Sequence, residues 1–212
     1  SQRAPLDWLN WQTTVYHGLP PEHFTFNKGP GQYLAFLGRI CPEKRVDTAI
    51  EIAERLEMPL KIAAKVDKVD QEYYRDVIKP LIKHPFIDYI GEIGEAEKSE
   101  FLGHATALLF PGDWPEPFGL VMIEAMACGT PIIARNFGSV QEVIQQGMTG
   151  FICDGVDEAV TAVKQISTFN RQRCREEFER RFTVSRMAED YLTVYQRLLR
   201  RESFPEMRHR SA

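Results

Sequence analysis

The 212-residue chain has few cysteines and no spacing typical of a metal site. None of its four cysteines lies in a C-x-x-C pair, and none of its five histidines lies in an H-x-x-x-H pattern. These absences argue against the common zinc motifs and against a disulfide framework. We therefore expect no metal ion, and reduced thiols at Cys41, Cys128, Cys153 and Cys174.

Long apolar runs and an excess of basic residues are absent as well. No run approaches the ~18 apolar residues of a membrane-spanning helix, and no charged and then apolar leader follows Ser1. The net charge of −4 argues against nucleic acid as a partner, because binding it requires a basic surface. Hydrophobic residues still make up 43% of the chain, so we expect a sizeable core. Because we expect the cysteines to be reduced, we also expect a cytoplasmic protein.

Short apolar runs alternate with amphipathic segments through most of the sequence. Strands are predicted at 13–16, 33–37, 60–64, 86–90, 107–110, 131–134 and 150–153. Helices are predicted at 45–58, 71–82, 95–104, 139–146, 156–166, 170–181 and 183–201, with a buried apolar helix after residue 119. This alternation predicts an α/β fold, a doubly wound, Rossmann-like parallel sheet of about six strands with extra carboxyl-terminal helices.

One glycine and two cations occupy the loop after the second predicted strand. Gly38 allows a sharp turn, and Arg39 and Lys44 flank the start of a helix, where free amides already favour anions. This arrangement suits a diphosphate; in the alternative, Arg39 pairs with a nearby carboxylate and Lys44 is solvated. The loop matches neither G-x-G-x-x-G nor the P-loop, so we do not expect a nicotinamide enzyme or a P-loop nucleotidase.

Two carboxylates, Glu116 and Glu124, lie before and within the buried apolar helix. Glu124 is the only formal charge in that helix, and an unpaired buried carboxylate is unfavourable. It could accept hydrogen bonds from a vicinal diol such as a ribose, or form a buried ion pair with Arg39 or Arg135. Glu116 would lie nearer the other end of such a ligand, and Gly119 would allow close approach of the backbone.

Four segments, in this order along the chain, resemble the motifs of a known enzyme family. FLGRICPEK (36–44) is similar to the phosphate-binding loop of retaining glycosyltransferase family 4, also called glycosyl transferases group 1. EPFGLVMIE (116–124) resembles the E-x7-E signature of that family, and GSVQEVI (138–144) and GMTGFI (147–152) match at the expected distances. The resemblance covers residues 15–200 and implies one half of a GT-B fold, the carboxyl-terminal, donor-binding domain.

The resemblance implies transfer of a hexose from a nucleotide-diphosphate sugar, with retention of anomeric configuration and without a metal or other cofactor. Arg39 and Lys44 would neutralise the diphosphate and Glu116 would contact hydroxyls of the sugar; these are the three implied catalytic residues. Glu124 would hold the ribose and Ile93 would lie beside the base, with UDP favoured over GDP. The other implied donor-binding residues are Gly38, Pro117, Phe118, Gly119 and Leu120.

Two departures from the family pattern affect this interpretation. His17 stands where the family usually has asparagine, so its role is open. The amino-terminal domain, which carries the family's acceptor site, is missing, so we expect either an excised domain or a half whose partner is a separate chain. Residues 1–30 would be the interdomain crossing segment and first strand, 31–168 the nucleotide-sugar-binding domain, 169–203 helices that pack toward the missing domain, and 204–212 a loose tail.

Other interpretations share these features. A nucleotide-sugar epimerase of GT-B shape and a non-catalytic nucleotide-sugar-binding module would also need a donor cleft, although the E-x7-E stretch fits transferases better. The basic helices near Arg171, Arg175 and Arg181 could contact anionic lipid, but interleaved glutamates favour a solvated face. Trp114 could stack on a sugar or cover the rim of the cleft.

Overall fold

In the computed structural model, which describes residues 8–202 and the side chains of residues 8–200, six strands form one parallel sheet. The strands are β1 (Tyr33–Arg39), β2 (Leu60–Lys65), β3 (Ile87–Gly91), β4 (Ala105–Phe110), β5 (Ile132–Arg135) and β6 (Gly150–Cys153). They lie in the order β3-β2-β1-β4-β5-β6, and each neighbouring pair is parallel. The predicted Rossmann-like sheet is confirmed.

Helices connect the strands and cover both faces of the sheet. They are α1 (Val46–Leu56), α2 (Gln71–Tyr73), α3 (Lys79–Leu81), α4 (Glu95–Gly103), α5 (Leu120–Ala127), α6 (Val140–Val143), α7 (Val156–Gln165), α8 (Arg171–Arg181) and α9 (Val184–Glu202). Because successive side chains of a strand point to opposite faces, β1 contributes Leu34 and Phe36 to one buried cluster and Ala35 to the other. Helices α1 and α7 cover the first cluster, and α5 and α8 cover the second.

The strand order reverses between β1 and β4, which are neighbours in the sheet although β2 and β3 separate them along the chain. Ligands of open parallel sheets bind beyond the carboxyl ends of the strands at such a reversal. Gly38 lies near the carboxyl end of β1, and Phe110 is the last residue of β4. The fold therefore places the loops after these two strands where a ligand is expected.

Helix α5 lies in the core between the sheet and α8. Its residues from Met122 to Ala127 are buried, and among them Glu124 is the one that carries a charge. Burial of each large apolar side chain contributes about 1.5–3 kcal/mol to the free energy of unfolding. The helix consequently holds the Glu124 carboxylate in a fixed position relative to the sheet.

The strand predicted at residues 13–16 is not formed. The backbone there lies against α9 instead, where Arg186 Nη2 donates a hydrogen bond of 2.7 Å to the carbonyl of Tyr16. A guanidinium that satisfies this carbonyl replaces the ladder partner that a strand would need.

The helix predicted at residues 139–146 was also wrong in extent, because α6 is a single turn and Ser139 does not cap it. The Ser139 hydroxyl donates a hydrogen bond of 2.7 Å to the carbonyl of Phe118 instead. Ser139 therefore supports the loop before α5 rather than its own helix.

The prediction of a solvated basic face is wrong for three arginines of α8, because Arg171, Arg175 and Arg181 all donate hydrogen bonds to backbone carbonyls of other segments. Arg171 donates hydrogen bonds of 2.7–2.9 Å to three backbone carbonyls and one hydroxyl, those of Asn27, Gly103, Ala105 and Thr130. Burial lowers the pKa of Arg171. Arg175 donates to the carbonyls of Phe24 and Ala127. These side chains join α8 to the domain, so they are not available to contact a lipid surface.

Candidate functional site

A cleft with a volume of about 560 Å³ lies at the carboxyl ends of β1, β2 and β4. All the residues predicted to bind a donor, except Arg39, line it. They are Gly38, Lys44, Ile93, Glu116, Pro117, Phe118, Gly119, Leu120 and Glu124. The fold thus brings together side chains from loops that are distant in sequence.

Lys44 and Glu116 meet at one wall of the cleft. Lys44 ends a 3₁₀ turn, Pro42–Lys44, just before α1, and its Nζ donates a hydrogen bond to Oε2 of Glu116. The same ammonium group lies 5.8 Å from the ring centroid of Phe110 and 5.9 Å from that of Trp114, within the range of cation–π attraction. The carboxylate and the two aromatic rings therefore fix this cation at the cleft.

The loop that carries Glu116 is held by a hydrogen bond within it and by the neighbouring segment of Gly138 and Ser139. Nε1 of Trp114 donates a hydrogen bond of 2.9 Å to Oε2 of Glu116, which keeps the indole at the rim of the cleft. The amide of Ser139 donates to the Glu116 carbonyl at 3.0 Å. Gly138 has a φ of 58°, and a Cβ at this position would lie 2.5 Å from the Glu116 nitrogen. Close approach of the two backbones therefore requires glycine at position 138.

The amino terminus of α5 faces the cleft, since Gly119, Leu120 and Val121 all line it. Gly119 immediately precedes the helix and has a φ of 83°, a left-handed conformation that glycine adopts without strain. The first amides of a helix have no carbonyl partner within it, and the helix dipole places partial positive charge there. This end of α5 is therefore suited to an anion such as a phosphate.

Glu124 is 7% exposed and pairs with Lys98 of α4, whose Nζ lies 3.0 Å from Glu124 Oε1. Burial raises the pKa of Glu124, and the charge of Lys98 opposes that rise. Burial alone would lower the pKa of Lys98, but its interactions with Glu95 and Glu124 outweigh burial and raise it. The alternative predicted from the sequence, a buried ion pair, is therefore confirmed, but the suggested partners Arg39 and Arg135 were wrong. No local pattern indicates Lys98, because 26 positions separate it from Glu124.

Arg39 does not line the cleft, so the expectation that it shares one site with the other residues was wrong. Gly38 lines the cleft, whereas the guanidinium of Arg39, the last residue of β1, lies beside Asp67 and Asp70 in the segment that follows β2. The nitrogen–oxygen distances are 3.5 and 3.6 Å, which are longer than normal hydrogen bonds. The alternative, that Arg39 pairs with nearby carboxylates, is confirmed, and its contact with a donor stays a prediction.

His17 lines the cleft, although the sequence left its role open. Its ring packs edge-on against Phe118, with 4.9 Å between the ring centroids. Other cleft residues that the sequence did not indicate are Lys65, Glu92, Lys98, Phe110 and Phe137. Tertiary packing alone brings these residues to the site, since most of them lie outside the loops that carry the motifs.

Residues 8–200 contain no helix long and apolar enough to cross a membrane. In the same part of the chain, no three His, Cys, Asp or Glu side chains lie together as ligands of a metal ion would.

Residues 22–182 match the family model of glycosyl transferases group 1. The chain belongs to this family. It is 24% identical over 196 residues to an uncharacterized glycosyltransferase of Methanocaldococcus jannaschii, MJ1178, an alignment that covers 89% of this chain and 54% of that protein. This group 1 glycosyltransferase chain thus spans about half the length of the curated relatives it matches.

Solved structures show the same fold. Sucrose-phosphate synthase of Thermosynechococcus elongatus superposes with a TM-score of 0.80 at 20% identity, over 93% of this chain and 56% of that one. Anabaena Alr3699/HepE, solved with UDP-glucose, superposes with a TM-score of 0.72 at 16% identity, over 88% of this chain and 57% of that one. The group 1 glycosyltransferase chain therefore has the fold of one Rossmann-like half of a GT-B enzyme.

Proposed function

We propose that this chain is the carboxyl-terminal, donor-binding domain of a retaining glycosyltransferase of family 4. It would transfer a hexose from a nucleotide-diphosphate sugar, without a metal ion or other cofactor. The observation that carries the proposal is the shared cleft, which Lys44, Glu116, Glu124 and the amino terminus of α5 line together. The cleft is thus lined by a carboxylate for a ribose, helix amides and a cation for a diphosphate, and a second carboxylate for a sugar.

The nucleoside end of the donor would lie beside Glu124. Lys98 holds one oxygen of this carboxylate at 3.0 Å and favours its ionised form. An ionised carboxylate accepts hydrogen bonds from both hydroxyls of a ribose. Ile93 lines the same cleft just before α4, and the base would lie against it.

The diphosphate would bind between Lys44 and the first amides of α5. Gly119 and Glu124 are five residues apart, which corresponds to about 7.5 Å along a helix and is comparable to the separation between a ribose and its distal phosphate. Arg39 would contribute only after leaving Asp67 and Asp70. Its long contacts with them and its 48% exposed side chain are compatible with that movement.

The chemistry follows from these placements. Breaking the bond between the anomeric carbon and the diphosphate oxygen leaves an oxocarbenium-like sugar and an anionic leaving group. Lys44 and the amides of α5 would stabilise the charge that develops on the diphosphate. Glu116 would bind hydroxyls of the sugar and orient it for attack by the acceptor.

The acceptor site would belong to a further domain, in the same protein or in a separate chain. The half-length match to relatives supports this. So does α9, where Tyr191, Leu192 and Tyr195 are 44%, 57% and 56% exposed and form an apolar strip. Exposed apolar surface of this kind is typical of a domain interface. We expect such a domain to complete the cleft.

Uridine is the proposed base because Anabaena Alr3699/HepE, which has the same fold, was solved with UDP-glucose. Calorimetric titration with UDP-glucose, GDP-glucose and ADP-glucose tests the proposal directly. We expect UDP-glucose to bind most tightly. Failure of all three to bind at millimolar concentration would contradict a donor site.

Glu124→Gln tests the nucleoside end and should weaken UDP binding by about tenfold, as expected for loss of a hydrogen bond to a charged group. Glu177→Gln is the matched control, because Glu177 is also buried, at 5% exposure, but pairs with Arg180 and Arg181 outside the cleft. The control should lower the melting temperature without changing UDP affinity. An unchanged affinity in Glu124→Gln would mean that Glu124 has only a structural ion pair.

A further inference from the structure

Arg45 has an unfavourable backbone conformation beside the candidate site. Its φ and ψ are 52° and 51°, in the left-handed region that disfavours residues with a Cβ. Among the described residues, Glu57 is the only other non-glycine residue with a positive φ. Glu57 follows the carboxyl end of α1, and Arg45 lies between the 3₁₀ turn Pro42–Lys44 and α1. After a helical turn this conformation is usually adopted by glycine or asparagine rather than by arginine.

The side chain of Arg45 contacts two carboxylates from different segments. Nη2 lies 2.9 Å from Oδ2 of Asp47, in the first turn of α1. Nη1 lies 3.1 Å from Oδ2 of Asp113, in the loop that follows β4. A backbone conformation that is unfavourable persists when surrounding contacts hold it in place, and such residues occur preferentially at functional sites.

Asp113 connects the two loops that carry the predicted donor-binding groups. Its amide donates a hydrogen bond of 3.1 Å to the carbonyl of Glu43, the residue before Lys44. Its carboxylate also lies 3.3 Å from Nη1 of Arg135, at the end of β5. Glu116 is three residues further along the same loop. The contact between Arg45 and Asp113 therefore fastens the segment of Glu116 to the segment of Lys44.

Arg45 does not line the cleft. It lines a separate cavity of about 220 Å³, and Pro111 lines both this cavity and the cleft. Any effect of Arg45 on a bound donor must consequently pass through Lys44 or Asp113.

We propose that Arg45 is a positioning residue for donor binding, whose contact with Asp113 sets the placement of Lys44 relative to Glu116. The inference rests on the proposed function, because it concerns the same cleft. Glycine would adopt this backbone conformation without strain. Lysine would offer a single point of contact rather than a fork that reaches two carboxylates. The two-carboxylate contact thus explains why an arginine occupies a position that favours glycine.

The test compares Arg45→Gly, Arg45→Lys and Asp113→Asn with the wild-type protein, using calorimetry with uridine, UDP and UDP-glucose. Glu57→Gly is the matched control, since it removes the same type of backbone strain at the opposite end of α1. We expect Arg45→Gly to remain folded, to bind uridine as wild type does, and to bind UDP and UDP-glucose about tenfold more weakly. Arg45→Lys should recover part of the loss, and Glu57→Gly should bind all three ligands as wild type does.

Asp113→Asn should reproduce the loss of UDP affinity, and combining it with Arg45→Gly should cause little further loss, because both changes remove the contact between Arg45 and Asp113. Wild-type UDP affinity in Arg45→Gly would overturn the inference, as would an equal loss of uridine affinity. If Arg45→Gly does not fold, unchanged UDP affinity in Asp113→Asn would overturn it as well. Failure of the wild-type protein to bind any nucleotide would instead refute the proposed function on which the inference rests.

Discussion

Lys44 and Glu116 are hydrogen-bonded to each other, although 72 positions separate them in the sequence. The group predicted to bind the diphosphate of a donor is therefore paired with the group predicted to bind its sugar. Trp114 holds the same Glu116 oxygen at 2.9 Å. A donor that uses both groups must separate them or bind across the pair, so its affinity depends on how strongly they attract each other.

Replacing Glu116 by Gln should therefore strengthen UDP binding and weaken sugar transfer. The change removes a charge that neutralises Lys44 and repels a diphosphate, so we expect UDP to bind about threefold more tightly. Transfer by the intact enzyme should fall by about 100-fold, because the sugar loses its carboxylate contact. Lys44→Ala should have the opposite effect and weaken UDP binding by about tenfold, because the diphosphate loses a cationic partner. Calorimetry and a transfer assay measure both, and weaker UDP binding by Glu116→Gln would contradict this account.

Donor affinity should depend on pH through Glu124. Burial raises the pKa of this carboxyl, so it is protonated at higher pH than an ordinary glutamate, whose pKa is about 4.3. The ionised form accepts hydrogen bonds from a ribose diol, so UDP-glucose affinity should be greatest above the pKa and fall as the pH decreases through it. Calorimetry over this pH range measures the effect. Glu124→Gln should abolish this dependence of UDP-glucose affinity on pH, because glutamine does not titrate.

Lys98→Met should move that loss of affinity to higher pH. The charge of Lys98 opposes the rise in the pKa of Glu124, and its removal lets burial act alone. Lys164→Met, on the exposed surface of α7, is the control and should leave the pH profile unchanged. An identical profile for Lys98→Met and wild type would show that Lys98 does not set the ionisation of Glu124.

Gly138→Ala should destabilise the fold and disturb the loop of Glu116. The added Cβ would lie 2.5 Å from the Glu116 nitrogen, and alanine is strained at a φ of 58°. We expect the free energy of unfolding to fall by about 2 kcal/mol or more, measured by urea denaturation. Gly155→Ala is the control, because its φ of −162° is ordinary extended backbone and no atom lies within 4 Å of the added Cβ. Equal stability of the two variants would contradict the prediction.

Arg171→Met should lower the free energy of unfolding by about 3 kcal/mol, because three at least partly buried carbonyls, those of Asn27, Gly103 and Ala105, lose the donor they share. Arg173→Met, at an exposed position of the same helix, should change it by about 0.5 kcal/mol or less. Urea denaturation of both variants provides the measurement. A small effect at Arg171 would support the solvated face expected from the sequence.

Periodic apolar patterns predicted most of the fold. The runs that became β1, β2, β4 and β6 are apolar and bounded by turns, so short-range information was sufficient. Residues 13–16 have a similar local pattern, but Arg186 of α9 donates a hydrogen bond to the carbonyl of Tyr16, which a strand would use to bond its neighbour in the sheet. The helix predicted at 139–146 was too long, and the hydroxyl of Ser139, at its start, donates a hydrogen bond of 2.7 Å to the distant carbonyl of Phe118. Local patterns cannot show which partner a polar group finds in the folded chain.

For the candidate site, too, the sequence identified some residues and missed or misplaced others. Lys44, Glu116 and Glu124 were identified from their loops and motifs, and the fold brings them to one cleft. Lys98 was not found, because no local pattern in α4 indicates the buried carboxylate that its half-buried side chain contacts. The placement of Arg39 was wrong, because its guanidinium lies beside Asp67 and Asp70, two carboxylates that no local pattern connects with the end of β1.

From the order of its residues alone we could predict the alternation of strands and helices, locate the two loops that follow strand ends, and recognise the motifs of glycosyl transferases group 1. These depend on periodicity and on short spacings along the chain. Tertiary structure decided which charges meet: Lys44 with Glu116, Lys98 with Glu124, and Arg45 with Asp113. Coulomb attraction and hydrogen bonding act over a few ångströms in space, so pairs that are 26 to 72 positions apart are set by the packing of the sheet and its helices.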